Sequence, residues 1–166
     1  MLNSNKGFTL IEVIITVTLI SLVFSIVSFS FYNTIKNSLD LKNQSEKLKE
    51  EAAFYWDFQK KVSTAVKVYL KQNNKNPILV LYNTSGSRFK GLVKSVFFVK
   101  DKSLYYYEFP YVYADPYFFD ENQSYKILDF DNFEIEVLKE GKVYKDFEGS
   151  LDLLILQVNE KRMVFK

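Results

Sequence analysis

The stretch Lys6-Gly7-Phe8-Thr9-Leu10-Ile11-Glu12 decides the fold, because it opens an apolar run of membrane-spanning length. Between Phe8 and Phe31 the only charged side chain is Glu12. About 20 apolar residues cross a bilayer as a helix, so residues 8–31 are predicted to form a transmembrane helix. An ionised carboxylate in hydrocarbon is costly without a partner, so Glu12 is hypothesised to be a functional residue.

The residues before the run indicate its orientation. Lys6 and the free amino terminus place the start of the chain on the cytoplasmic side, by the positive-inside rule. The run is longer than the apolar segment of a secretory signal peptide, which has about 7–15 residues. An ordinary signal anchor, in which Glu12 reaches the membrane interface, is the alternative interpretation.

The sequence KGFTLIEV, residues 6–13, resembles the processing site of type IV prepilins and type II secretion pseudopilins. The resemblance implies that prepilin peptidase cuts between Gly7 and Phe8, removing a short leader with the basic residue Lys6, and methylates the new amino terminus. Glu12 then becomes the fifth residue of the mature chain. It is expected to pair with the amino group of a neighbouring subunit, and pairing within the same chain is the competing geometry.

Composition narrows the function further. The chain has 166 residues, a formal net charge of +2, no histidine and no cysteine. An anchor plus one soluble domain suits this length, and the near-neutral charge predicts no nucleic-acid partner. Histidine bases, cysteine nucleophiles, the usual zinc ligands and disulfides are excluded. Many major type IV pilins carry a disulfide-closed loop, so the resemblance favours a pseudopilin or a minor pilin.

The chain after Phe31 is predicted to remain helical to about Gln72, where Pro77 and the preceding asparagines stop the helix. The segment 33–45 has the least regular periodicity, so a bend or break there stays open. The predicted division is a leader at 1–7, a transmembrane or filament-core helix at 8–31, an amphipathic helix continuation at 32–72 and an antiparallel β-rich periplasmic domain at 73–166.

Short strands rich in β-branched and aromatic residues follow Pro77. They are predicted at 78–82, 92–99, 104–109, 133–138, 142–147, 151–158 and 163–165. The predicted fold class is α+β, with an antiparallel sheet packed on the C-terminal half of the long helix, which is also the pilin architecture. In the run Tyr105-Tyr106-Tyr107, strand geometry places Tyr106 on the face opposite its neighbours.

The stretch 110–126 is predicted to be irregular and has two interpretations. Its acids Asp115, Asp120 and Glu121 are candidate oxygen ligands for calcium, although no EF-hand spacing is present. Alternatively, the acids keep an aromatic loop soluble, and its rings cap the core or contact a partner subunit. The candidate interface residues are Tyr111, Tyr113, Tyr117 and Phe118.

No pattern in the chain favours catalysis. Asp129 and Asp131 share one face if their segment is a strand, but spacing alone shows no cleft and no raised pKa. A phosphate-binding GxxxxGK loop is also missing. We therefore expect a structural protein and not an enzyme, without a cofactor other than the calcium considered above.

A comparison within the pilin-like proteins suggests a minor subunit. Major pilins and major pseudopilins typically carry a proline late in the apolar helix, whereas the first proline here is Pro77. Minor pseudopilins of the I and J classes, and some minor type IV pilins, also lack that proline. The size of the chain and its aromatic β-domain resemble the J class more than the compact H class.

The sequence thus predicts a subunit of the tip or initiation complex of a type II secretion pseudopilus, anchored in the inner membrane and then part of a periplasmic filament. Its expected partners are prepilin peptidase, the other minor subunits and the major subunit. The alternatives are a minor pilin of a type IV pilus and a permanently anchored periplasmic binding domain. A subunit of a DNA-uptake pseudopilus would be expected to carry a basic surface stripe, which this near-neutral sequence does not indicate.

Overall fold

The computed structural model of the protein describes residues 9–73, 76–110 and 115–166. The chain divides into two compact units, one ending at Leu48 and one beginning at Lys49. The first contains most of a long helix, and the second contains the last turns of that helix and all the strands. The fold class is α+β, with one long N-terminal helix followed by an antiparallel β domain, as the sequence predicts.

Helix α1 extends over Leu10–Ser63. Its residues 10–31 are exposed throughout, although 15 of these 22 residues are apolar. Among the described residues, α1 is the one helix long and apolar enough to cross a membrane. Three hydroxyls in this part bond within the helix: those of Thr16, Thr18 and Ser25 each donate to the carbonyl four residues earlier. Such local bonds let hydroxyl groups lie in an apolar environment.

The helix ends at Ser63, so its predicted continuation to residue 72 is wrong. The hydroxyls of Ser63 and Thr64 donate to the Lys60 carbonyl at 3.1 and 2.9 Å, in competition with helical N–H groups. The following residues include Val66, Val68 and Tyr69, which favour strands. They form strand β1 in place of further helix.

Six strands make up the larger sheet, in the order β5-β4-β3-β2-β1-β8, and every neighbouring pair is antiparallel. Their bounds are β1 Ala65–Asn73, β2 Asn76–Asn83, β3 Val93–Lys100, β4 Ser103–Phe109, β5 Tyr125–Asp129 and β8 Phe147–Gly149. A short 3₁₀ helix, Glu121–Gln123, precedes β5.

Four strands form a second sheet in the order β10-β9-β6-β7. Their bounds are β6 Phe133–Lys139, β7 Lys142–Tyr144, β9 Leu153–Val158 and β10 Lys161–Phe165. Sequence reasoning predicted one sheet, missed β1 and β5, and assigned residues 142–147 to one strand. The structure divides that segment between the sheets, because β7 pairs with β6 while β8 pairs with β1.

Two tight turns, at 101–102 and at 140–141, connect β3 to β4 and β6 to β7. Asp101 and Lys102 have φ of 49° and 59°, and Glu140 and Gly141 have φ of 51° and 75°. Two successive residues with positive φ are typical of a type I′ turn, whose twist matches that of the flanking strands.

The main core lies between the last turns of α1 and the two sheets. The Phe58 ring, 1% exposed, lies 5.0 Å from Phe97 of the larger sheet and 4.9 Å from Phe165 of the smaller one. Tyr106 joins this core, whereas Tyr105 and Tyr107 belong to a second aromatic cluster. The predicted alternation of the three tyrosines is therefore confirmed.

Candidate functional site

Glu12 closes a hydrogen-bonded ring with Thr9 at the start of α1. The backbone N–H and the hydroxyl of Thr9 both donate to Glu12 Oε2 at 2.9 Å. The Glu12 N–H contacts the Thr9 hydroxyl in return, at 3.4 Å. This arrangement is a capping box, in which the first side chain of the helix and the one three residues later satisfy each other's N–H groups.

The capping box gives Glu12 a partner within its own chain. Sequence reasoning missed Thr9, although the pattern Thr9-Leu10-Ile11-Glu12 is the capping-box signature. Among the described residues, Oε1 receives no hydrogen bond, since both donors go to Oε2. The carboxylate can therefore accept a second donor without giving up the first.

Several predicted site residues lie outside the described residues. These are Lys6, Gly7 and Phe8 at the predicted cleavage site, and Tyr111 and Tyr113 of the predicted interface. Cleavage after Gly7 and methylation of Phe8 thus stay predictions.

The described part of the aromatic loop covers the outer face of the larger sheet. Tyr117 and Phe119 pack against a cluster that contains Tyr69 and Phe98, with ring centroids 6.3 and 4.6 Å apart respectively. Phe118 is 68% exposed. Of the predicted interface residues that are described, Tyr117 caps a core cluster and Phe118 remains available for a partner.

A buried lysine holds this loop in place. Lys94, 1% exposed, donates from Nζ to the carbonyls of Asp115 and Phe118 at 3.2 and 2.6 Å. Burial lowers the pKa of Lys94 from its ordinary value, and the nearby Asp115 carboxylate opposes that shift.

The three acids proposed as calcium ligands have separate structural roles. Asp115 accepts from the Tyr117 N–H at 2.9 Å, and Asp120 accepts from the Asn122 N–H at 3.0 Å. Glu121 pairs with Lys100 at 2.7 Å. Among the residues that the structure describes, no group of three or more acidic side chains is positioned to hold a metal ion. The predicted ligand set is therefore not formed.

A buried carboxylate in β4 fixes the loop between β2 and β3. Glu108, 5% exposed, accepts hydrogen bonds from the backbone N–H groups of Ser87, Arg88 and Phe89 at 2.8–3.0 Å. The Tyr106 hydroxyl donates to the same carboxylate. Four donors thus compensate the cost of burying one negative charge.

The loop needs glycine where it passes this carboxylate. A Cβ at Gly86 would lie 2.6 Å from Glu108 Oε1 and 2.5 Å from the Phe89 carbonyl oxygen. Both distances are shorter than van der Waals contact, so only glycine allows the backbone this close.

Lys61 connects the same loop to α1. Its side chain is fully buried and donates to Asp57 Oδ2 and Ser87 Oγ, both at 2.6 Å. The ammonium also lies 5.1 Å from the centre of the Tyr106 ring. The last turns of the helix, the loop and β4 are therefore joined by one polar network inside the second unit.

The network makes the stability of the domain dependent on pH. Burial raises the pKa of the Glu108 carboxyl, but the hydrogen bonds from Tyr106, Phe89, Ser87 and Arg88 together lower it below its ordinary value. A carboxyl group whose pKa is lower in the folded than in the unfolded protein stabilises the fold at pH values above its unfolded pKa of about 4.3. That stabilisation is lost as the pH falls through the native pKa. We expect the free energy of unfolding to fall from neutral pH to about pH 3. The difference in free energy of unfolding between the wild type and Glu108→Gln, measured by urea titration, should shrink over the same range. A constant difference would contradict the role of the ionised Glu108 carboxylate.

An exposed apolar helix near the amino terminus, followed by a β-rich domain, fits a single-pass, membrane-anchored protein. The family model of the prokaryotic N-terminal methylation motif matches residues 2–28. An uncharacterised protein of Aquifex aeolicus (strain VF5) is 36% identical over 164 residues, which cover 99% of this chain and 93% of that protein. No solved structure matches the chain. The chain belongs to the type IV pilin-like proteins with a prepilin-type motif.

Proposed function

We propose that the chain is a minor pseudopilin, a structural subunit of the tip or initiation complex of a type II secretion pseudopilus. The observation that carries the proposal is the N-terminal methylation motif at residues 2–28, followed by a helix whose apolar surface is exposed. A helix of this kind is stable in lipid or against other apolar helices, but not in water. The role is one of assembly and not of catalysis.

The proposed pathway begins in the inner membrane. Prepilin peptidase removes residues 1–7, methylates Phe8 and leaves the helix as an anchor with the β domain in the periplasm. The subunit then leaves the bilayer and joins the major subunit and the other minor subunits, whose helices replace lipid around residues 8–31.

Glu12 has a separate role in this pathway. Cleavage creates an amino group at Phe8, and a cation placed among apolar helices needs a counter-charge. Because the capping box occupies Oε2, we assign Oε1 of Glu12 to the amino group of a neighbouring subunit. The carboxylate then accepts the hydrogen bonds of the capping box through Oε2 and pairs with the neighbouring subunit's amino group through Oε1.

Intact-mass spectrometry of the protein from its own membranes tests the processing step. We expect a mass that lacks Met1 to Gly7 and includes one added methyl group, with Phe8 as the first residue. A Gly7→Val variant should keep the full leader, because the enzyme is expected to require a small residue at the cut. An unprocessed wild-type chain would instead support a permanently anchored binding domain.

Crosslinking from the exposed Phe118 distinguishes the filament systems. A photoreactive residue there should capture secretion-type subunits if the proposal is right. Capture of type IV pilus subunits would support the alternative of a minor pilin.

A further inference from the structure

The single tryptophan of the chain lies on the solvent face of α1. Trp56 is 79% exposed in the second unit, whereas Phe54 and Phe58 on the opposite side of the helix are buried. An exposed tryptophan adds a large apolar surface to a helix that has already buried its core face. Tryptophan is also among the residues that contribute most to binding at protein interfaces.

Small and basic residues surround this tryptophan. With about 3.6 residues per turn, Lys49, Ala52, Trp56 and Lys60 fall on one stripe of the helix. All four are exposed. We call them the tryptophan ridge: a central ring beside a small residue, with one ammonium group toward each end.

A cleft of about 560 Å³ lies beside the ridge in the same unit. Tyr55, Leu128 and Val158 contribute its apolar surface. Four carboxylates and one lysine also line it: Glu51, Asp129, Asp131, Glu160 and Lys161. We call it the acidic cleft, and its size is in the range of pockets that take up a bulky group.

Part of the charge in the cleft is already compensated. Lys161 pairs with Glu51 at 2.7 Å, and Asp129 pairs with Lys126 and accepts from Ser103. Asp131 and Glu160 are exposed at its edge. Strand β10 runs along α1 from Glu51, which pairs with Lys161, to Phe58, which contacts Phe165. Asp131 and Glu160 therefore lie at the level of Lys49, and their negative charge matches the ammonium group of that residue.

The ridge and the cleft lie at the same level along the helix. Glu51 and Tyr55 line the cleft, and Ala52 and Trp56 of the ridge are their immediate neighbours in sequence. Two copies whose helices lie side by side in the same direction can therefore each place a ridge in the cleft of the other. A two-fold axis requires this kind of reciprocal contact, because the same patch serves both partners.

We propose that the tryptophan ridge docks in the acidic cleft of a second copy of this chain, forming a symmetric pair. Trp56 contacts Tyr55, Leu128 and Val158 of the other copy, and Lys49 approaches its Asp131 and Glu160. The pair forms while the subunit resides in the membrane, so it goes beyond the proposed role in the filament and does not depend on it.

Disulfide trapping tests the pairing directly, because the chain has no cysteine of its own. Two differently tagged full-length copies are expressed together, without other filament proteins, one with Lys49→Cys and the other with Glu160→Cys. We expect a mixed disulfide under mild oxidation. The matched control replaces Glu160→Cys by Lys142→Cys, which lies in the exposed strand β7 outside both surfaces. Equal trapping with the control, or no trapping at 49 and 160, would overturn the proposal.

Charge reversal and the tryptophan itself provide a second measurement. Trp56→Ala should weaken the pairing by about tenfold or more, as for a tryptophan at the centre of an interface. Lys49→Glu and Glu160→Lys should each weaken it when present in both copies, and mixing the two variants should partly restore it.

Fluorescence of Trp56 reports the same event. We expect emission to shift to shorter wavelength as the protein concentration in detergent rises, since pairing removes water from the indole ring. Emission that stays at the wavelength of an exposed indole, or trapping that appears only when other subunits are added, would assign the ridge to a different partner and overturn the pairing.

Discussion

Replacing Glu12 by Gln is expected to prevent entry into filaments or tip complexes while leader cleavage continues. The amide can still accept a hydrogen bond from the Thr9 N–H, so the capping box is largely kept. The negative charge is lost, and the amino group of a neighbouring Phe8 would then be a cation without a counter-ion among apolar helices. Breaking a buried ion pair in this way typically costs about 3–5 kcal/mol. The measurement is the fraction of subunit recovered in sheared filaments or co-purified tip complexes.

A matched variant separates the two roles of Glu12. Thr9→Val removes the hydroxyl that donates to Oε2 but keeps the carboxylate and the backbone N–H. We expect this variant to assemble nearly normally, with a loss of helix stability of about 1 kcal/mol from the weakened cap. If Thr9→Val failed as completely as Glu12→Gln, the carboxylate would act only as a cap.

The sequence was sufficient to predict the membrane helix and the strand-rich domain, because both depend on local patterns. The apolar run 8–31 and the alternation in Phe133–Val137 need no tertiary information. Turn chemistry at Asp101-Lys102 and Glu140-Gly141 also acts over a few residues.

The end of the helix could not be predicted in the same way. Both faces of the larger sheet are covered, so Val68, Tyr69 and Leu70 are buried in succession and show no strand-like alternation. The run was therefore compatible with an extension of the apolar helix stripe. Only pairing of β1 with β2 and β8 decides in favour of a strand.

The polar network was hidden from the sequence for a related reason. Alternation in β4 places Tyr106 and Glu108 on one face, but nothing local shows that the 86–89 loop reaches that face. The contact requires the β2–β3 and β3–β4 pairings together, and it requires Gly86 at the close approach. The buried Glu108 with its four donors therefore depends on tertiary contacts, which local sequence patterns do not show.

Replacing Glu108 by Ala is expected to destabilise the second unit more than any exposed substitution. The change leaves the N–H groups of Ser87, Arg88 and Phe89 and the Tyr106 hydroxyl without their acceptor. Unpaired buried donors cost about 1–3 kcal/mol each, and partial access of water to the loop reduces the sum, so we expect a loss of about 3–5 kcal/mol. The free energy of unfolding of a typical domain is about 5–15 kcal/mol, so this loss is a large share of it. The loss in free energy of unfolding is measured by urea unfolding of the full-length chain in detergent, monitored by the circular dichroism of its tyrosines.

Two comparisons show whether the loss comes from the loop. Glu134→Ala removes a carboxylate from an exposed position of β6 and should change stability by less than about 0.5 kcal/mol. Hydrogen exchange should show faster exchange at the amides of 87–89 in Glu108→Ala, while the amides of β6 and β9 keep their protection in native conditions. If stability fell but these loop amides remained protected, Glu108 would act through packing of the core. Because Lys61 joins the same loop to α1 through Ser87, loss of protection in the loop should extend to the last turn of the helix.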